Sequence, residues 1–227
     1  MTDGFHDKSD WVFDLDNTLY PAACNLFEQV DRRIQRFIMD MFDAGPDEAR
    51  KIQKDFFHQY GTTLNGLMTN HGVDPTEYLH YVHDIDVTPV PPNPALEAVL
   101  ARLPGRKLVY TNGSVPHAER VMERLGVAHH FDGVFDIVAA DYVPKPEDSA
   151  FEIFVRKYGI DSARAVMVED IARNLAPAHA RGMTTVWVRS DHHWSLGNGE
   201  DPHIHHAIDD LVDWLTGVAD TMPDARR

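Results

Sequence analysis

Two carboxylates, Asp14 and Asp16, stand two positions apart at the end of the apolar run Trp11-Val12-Phe13. A strand buried on both faces reads as such a run, and it has no structural use for an acid where it ends. Residues i and i+2 of a strand point the same way, so the two acids share a face. Carboxylates that close repel unless a cation, a proton or both intervene. In open α/β sheets ligands bind just beyond the carboxyl ends of the strands, which puts Asp14 and Asp16 at the mouth of a site. The plainer alternative is that Asp14 caps a helix and Asp16-Asn17 makes a turn.

Other strand ends add to the set. After the run at 107–110 come Thr111-Asn112-Gly113-Ser114, and after the run at 165–168 come Glu169-Asp170, with Asn174 beyond. Between them Val143-Pro144-Lys145-Pro146 presents a lysine held by prolines at the start of a helix. Each has a plainer role: Thr111 and Ser114 as helix caps, Lys145 as a solvated charge, Glu169-Asp170 as a capping pair. Their common position at strand ends argues for one site. Four carboxylates against one ammonium leave it strongly negative, so an anionic substrate needs a divalent hard cation to enter. Mg²⁺ takes carboxylates, waters and phosphate oxygens, which this set supplies.

The elements that must position these groups follow from periodicity. Apolar residues at Leu26, Val30, Ile34, Phe37, Ile38 and Met41 predict an amphipathic helix over 26–41. A second helix over 49–60 is closed by Gly61, and shorter ones follow over 64–70 and 76–83. Pro89, Pro91, Pro92 and Pro94 then mark an extended linker. Beyond it, helices at 96–103, 117–125, 151–158 and 175–181 alternate with strands at 107–110, 134–138, 165–168 and 184–188. Such alternation implies an α/β fold with a parallel sheet covered by helices on both faces. The first strand has no helix of its own directly after it, so residues 22–92 read as a helical cap inserted between it and its neighbours, with 1–21 and 93–227 forming the core. An insert at that point overhangs the site.

With 227 residues the chain has ample material for a core, and its net charge of −15 disfavours nucleic acid polymers and anionic membranes as partners. A small-molecule partner brought in with a metal ion is expected. There is no apolar run long enough to span a bilayer, and residues 1–10 are polar, unlike a secretory signal. One cysteine, Cys24, allows no internal disulfide and fits a reducing cytoplasm; beside Leu26 and Phe27 it reads as packing rather than a nucleophile. Residues 190–205, with Gly197-Asn198-Gly199, read as a loop, and a last helix lies near 211–215. His192, His193, His203, His205 and His206 lack the spacing of a metal site and read as a solvated segment.

Asp14-Leu15-Asp16-Asn17-Thr18, Thr111, Lys145 and Glu169-Asp170 occur in the order and strand context of the haloacid dehalogenase superfamily of phosphatases, which the chain resembles over nearly its whole length. The stretches 14–21, 60–67, 82–86, 143–146, 169–175 and 182–188 are similar to the pyrimidine 5′-nucleotidase branch, which carries a helical cap. The departure is Glu169 where many relatives have a second Asp, and it leaves open whether residue 169 meets the metal directly or through water.

The resemblance implies a Rossmann-like core and a Mg²⁺-dependent phosphomonoester hydrolase. Asp14 would attack phosphorus to form an aspartyl phosphate, and Asp16 would protonate the leaving oxygen and later take a proton from water. Dehalogenating relatives need no such acid, so Asp16 argues for phosphate esters. The metal would be held by the Asp14 carboxylate, the Asp16 carbonyl and Asp170, with Glu169 nearby. Thr111, Asn112, Gly113 and Lys145 would surround the phosphate oxygens, and Asn174 would position the loop after Asp170. Thr62, Thr63, His83 and Asp84, near helix ends of the cap, could reach a base or ribose, or could simply cap helices. The substrate implied is a pyrimidine nucleoside monophosphate. Rival readings are a sugar phosphate phosphatase or phosphomutase of the same superfamily, a non-enzymatic phosphoryl receiver and a ligand-binding module.

Overall fold

Trp11 and Phe13 of the first strand point to one side and Val12 to the other, and all three are fully buried. That requires a sheet covered on both faces. The computed structural model, which describes residues 4–190 and 201–222, provides it. Its strands are β1 (Asp10–Phe13), β2 (Arg106–Tyr110), β3 (Gly133–Phe135), β4 (Ala165–Glu169), β5 (Thr184–Val188) and β6 (His206–Ile208), all parallel in the order β3-β2-β1-β4-β5-β6. The chain winds one way from β1 through β2 to β3, then returns to β4 on the other side of β1. This Rossmann-like order opens a crevice at the carboxyl ends of β1, β2 and β4.

Both faces are filled. Trp11, Phe13, Val109, Val166 and Val168 pack beneath α5 (Pro94–Leu100), α6 (Val115–Leu125) and α9 (Leu211–Thr221). Val12, Leu108, Tyr110 and Met167 pack against α7 (Asp148–Tyr158) and α8 (Ala176–Ala180) on the other face.

Between β1 and α5 come α1 (Leu26–Phe42), α2 (Pro46–Tyr60), α3 (Thr63–His71) and α4 (Pro75–His83). Local chemistry sets their ends. Thr62 accepts from the Asn65 N–H to start α3, Asp74 accepts from the N–H groups of Thr76 and Glu77 to start α4, and Gly61 and Gly72 stand at positive φ where α2 and α3 stop. Val30, Leu64, Leu67, Tyr78, Leu79 and Val82 give these helices a core of their own, joined by Ile137 from the sheet side.

Several elements differ from the sequence reading. The strand expected over 134–138 stops at Phe135, because the Asp136 carboxylate turns to accept from the N–H groups of Val115 and Ala139, and Ile137 then packs under the inserted helices. Lys145 does not start a helix: α7 begins three residues later and the Lys145-Pro146 peptide is cis. The 3₁₀ turn Ala172–Leu175 precedes α8, the last helix continues well beyond 215, and β6 is a strand where none was expected. Cys24 is a half-buried free thiol whose pKa burial raises, consistent with packing. Among the described residues no helix is long and apolar enough to cross a membrane.

Candidate active site

The β1–β4 ladder continues one residue past Phe13, where the Asp14 N–H donates to the Val168 carbonyl at 2.9 Å. Phe13 pairs with Val109 on one side and Val168 on the other, so Asp14 falls in a row with Tyr110 and Glu169. Lys145 reaches this row from the loop before α7, its backbone N–H fixed by the Asn112 side-chain oxygen at 2.8 Å. Its ammonium donates to Asp14 Oδ1 at 2.6 Å, Glu169 Oε2 at 2.6 Å and the Tyr110 carbonyl at 2.9 Å. An ammonium has three protons, and all three are used. The other Glu169 oxygen accepts from the Ile171 N–H and from Asn174 Nδ2, both at 3.2 Å. Asn174 thus fixes the loop after Asp170 through Glu169.

One ammonium shared by crowded acids sets the electrostatics. Burial, then the neighbouring Glu169, push Asp14 up to about 7 despite the pull of Lys145. Burial and Glu169 likewise push Asp170 well above the carboxylate range. Lys145 shifts upward because Asp14 and Glu169 together outweigh its burial. Asp14, Glu169 and Asp170 each bring a carboxylate oxygen within 4.8 Å of the others. An all-oxygen set with excess negative charge fits a hard divalent cation such as Mg²⁺.

Asp16 is held differently. Burial would raise it, but the His117 ring and the hydrogen bonds from His117 and Tyr20 prevail and bring it down to about 2. Tyr20 Oη donates to Asp16 Oδ1 at 2.6 Å, and His117 Nε2 lies 2.9 Å from the same oxygen. Sequence reasoning placed Tyr20 only in a hinge beside Pro21 and His117 only in a helix, and assigned neither to the site. The available signal for His117 was a histidine on the buried stripe of α6, beside Ala118 and Val121. Thr111 Oγ1 accepts from the Gly113 N–H at 2.9 Å, closing the turn between β2 and α6. A Cβ at Gly113 would stand 3.2 Å from Thr111 Oγ1 and 3.3 Å from the His117 ring, so the turn has little room for a side chain. Ser114 does not cap α6; its hydroxyl pairs with His83 Nδ1 at 3.1 Å.

A cleft of about 330 Å³ joins this floor to the inserted helices, and Asp14, Asp16, Thr111, Asn112, Gly113, Lys145, Glu169 and Asp170 all line it. Of the residues expected to read the substrate, Thr62, Thr63 and His83 also line it. Each already has a structural partner: Thr62 caps α3, Thr63 donates to the Gln53 carbonyl at 3.3 Å, and His83 bonds Ser114. Asp84 lies outside the cleft and pairs with Arg33 at 3.4 Å. The upper wall is mainly apolar, with Phe27, Val30, Ile34, Leu64 and Leu79. Four polar groups of the cleft went unnoticed in the sequence: Gln53, which donates to Asp31 at 2.6 Å, Lys54, and Arg173, set 5.3 Å from the Phe57 ring. His203 bonds the Ala172 carbonyl and His205 bonds Thr185, as structural histidines do. His192 and His193 lie outside the described residues.

Comparison with known proteins agrees with this geometry. The family described as haloacid dehalogenase-like hydrolase matches residues 12–182. Phosphate metabolism protein 8 of Saccharomyces cerevisiae is 28% identical over 191 residues, covering 76% of this chain and 59% of that protein. The fructose-1-phosphate phosphatase YqaB of Escherichia coli is 33% identical over 103 residues, 44% of this chain and 53% of that protein. The chain therefore matches little more than half the length of these curated relatives. Among solved structures, a HAD phosphatase from Thermococcus onnurineus has the same fold, with a TM-score of 0.62 and 17% identity over 92% of this chain and 97% of that one.

Proposed function

The chain belongs to the haloacid dehalogenase-like hydrolase family, and we propose that it is a Mg²⁺-dependent phosphatase acting through an aspartyl phosphate on pyrimidine nucleoside 5′-monophosphates. The observation that carries this is the single cleft floor on which Asp14, Asp16, Thr111, Lys145 and Asp170 meet. In this reading Asp14 attacks phosphorus in line and the ester oxygen departs, dividing one displacement into two. Lys145 holds the nucleophile in place and favours its ionised form. The Thr111 hydroxyl, whose oxygen accepts from the Gly113 N–H, and the backbone N–H of Asn112 would meet the phosphate oxygens, where preorganised donors stabilise charge as it develops. Asp16 handles the protons, giving one to the departing oxygen and taking one from the water that opens the acyl phosphate. Asp14, Asp170 and the Asp16 carbonyl would hold Mg²⁺, which when bound would supply the positive charge that a phosphate dianion needs beside four carboxylates. Glu169 acts from behind, since its oxygens are engaged by Lys145, Asn174 and the Ile171 N–H.

Residues 22–92 serve as the cap that selects the leaving group, over a core of 1–21 and 93–227. Its mainly apolar wall suits the face of a planar base better than a polyol. Gln53 and Asp31 are the polar pair best placed to meet a base edge. A second reading, a sugar phosphate phosphatase, is favoured by the similarity to a fructose-1-phosphate phosphatase. Phosphate release from UMP, CMP, AMP, GMP and fructose 1-phosphate, with Mg²⁺ and with EDTA, decides between them. Pyrimidine nucleotides should turn over fastest, and EDTA should abolish release. Asp14→Asn should lose about three orders of magnitude or more in kcat while keeping its circular dichroism. Undiminished turnover in Asp14→Asn would eliminate the covalent route, and a preference for the sugar phosphate would replace the substrate assignment.

A further inference from the structure

Asp16 is gripped through one of its two oxygens. The Tyr20 hydroxyl and His117 Nε2 both meet Oδ1, so Oδ2 is the atom left for the reacting groups. Asp16 Oδ1 accepts whether the carboxylate is ionised or carries a proton on Oδ2, which places a ring hydrogen of His117 on Nε2 in either state. The His117 side chain is fully buried, and its Nδ1 has no hydrogen-bond partner among the described residues. Leaving a buried nitrogen unsatisfied is a cost that a residue kept only for packing would not incur. The imidazole's one polar engagement is with Asp16.

The ring is itself braced. His83, at the end of α4, stacks on it with centroids 4.6 Å apart and planes 13° from parallel. His83 Nδ1 is tied to Ser114 Oγ, and the His83 carbonyl accepts from Arg120. Ser114 immediately precedes α6 and Arg120 lies within it, as does His117. One end of the inserted helices and the start of α6 therefore close around a single imidazole.

We propose that His117 is a positioning residue for Asp16, fixing the rotamer from which the carboxyl group delivers its proton to the departing ester oxygen, and that His83 holds the His117 ring in place from the cap side. This rests on the assignment of Asp16 as the acid and base of phosphoryl transfer. The same carboxylate could not be aimed by Tyr20 alone, because one bond leaves rotation about it free.

Leaving groups of different basicity test this. The ratio kcat/KM reports the steps through expulsion of the leaving group. A nucleoside 5′-oxygen needs a proton to depart, whereas p-nitrophenolate does not. His117→Ala should lower kcat/KM for UMP by about 30-fold or more, within the range of general acid catalysis, and that for p-nitrophenyl phosphate by about threefold or less. His117→Gln, whose amide can place an N–H near the position of Nε2, should recover most of the UMP activity. His83→Ala should show the same selectivity with a smaller loss. Equal losses on both substrates, without recovery in the Gln variant at matched urea midpoints, would reduce His117 to a structural role and overturn the proposal. Absence of phosphate release from both substrates in the unmodified protein would remove the phosphatase reading itself, and this proposal with it.

Discussion

Lys145 spends every proton on the protein, so it acts as a fixed counter-charge beneath Asp14 rather than a free hand for the substrate. One counter-charge cannot serve both Asp14 and Glu169 fully, so burial first, and then the Glu169 charge, raise the pKa of Asp14 against the pull of Lys145. The sign of the stability effect follows. A carboxyl that titrates at about 7 in the fold, against an ordinary 3.8, holds its proton more tightly in the native state. That contribution is complete below pH 4 and is lost as pH climbs through 7. A divalent cation competes with that proton, so Mg²⁺ should raise the thermal midpoint more at pH 8 than at pH 5; equal shifts would show that Asp14 is not involved. Asp14, Asp16, Thr111, Glu169 and Asp170 were legible in the sequence because each is a polar group standing where an apolar strand stops, and Lys145 because it is a cation held between two prolines. His117 and Tyr20 were not. His117 sits on the apolar stripe of a helix, and its partner lies 101 positions away in the chain, a pairing that no local pattern encodes.

At the level of elements, legibility tracked burial. β1, β2, β4 and β5 are central strands, and their runs of apolar residues announce them. β6 is three residues at the sheet edge, two of them only half-buried, and its sequence His-Ala-Ile carries no strand signal without its neighbour β5. The premature end of β3 has a similar cause: Asp136 satisfies two N–H groups outside the sheet, a tertiary demand that overrides the apolar character of Ile137 and Val138. Ile137 is then 2% exposed and packs with Val30, Leu64 and Val82 across the seam between sheet and inserted helices. Ile137→Ala should cost about 2–4 kcal/mol by loss of burial and the void left behind, read from urea denaturation. Because the seam borders the cleft, it should also raise KM more than it lowers kcat. A change confined to stability would place the seam outside substrate binding.

For the whole molecule, the decisive quantity is charge. A net −15 repels the phosphate dianions that the site is proposed to accept, although Lys54, Arg173 and Lys145 line the cleft. Salt screens repulsion over distances beyond about 10 Å at 0.1 M but leaves the buried floor nearly untouched. Raising NaCl from 10 to about 150 mM at constant Mg²⁺ should therefore increase kcat/KM for UMP severalfold while kcat stays level. A monotonic fall would mean that local attraction at the cleft mouth outweighs the global field. The seam through Ile137 has a last consequence. Apolar adhesion weakens as water cools, so the grip of the four inserted helices on the sheet should be firmest in warmth and slackest near freezing, making the tightness of this enclosure a property of habitat as much as of sequence.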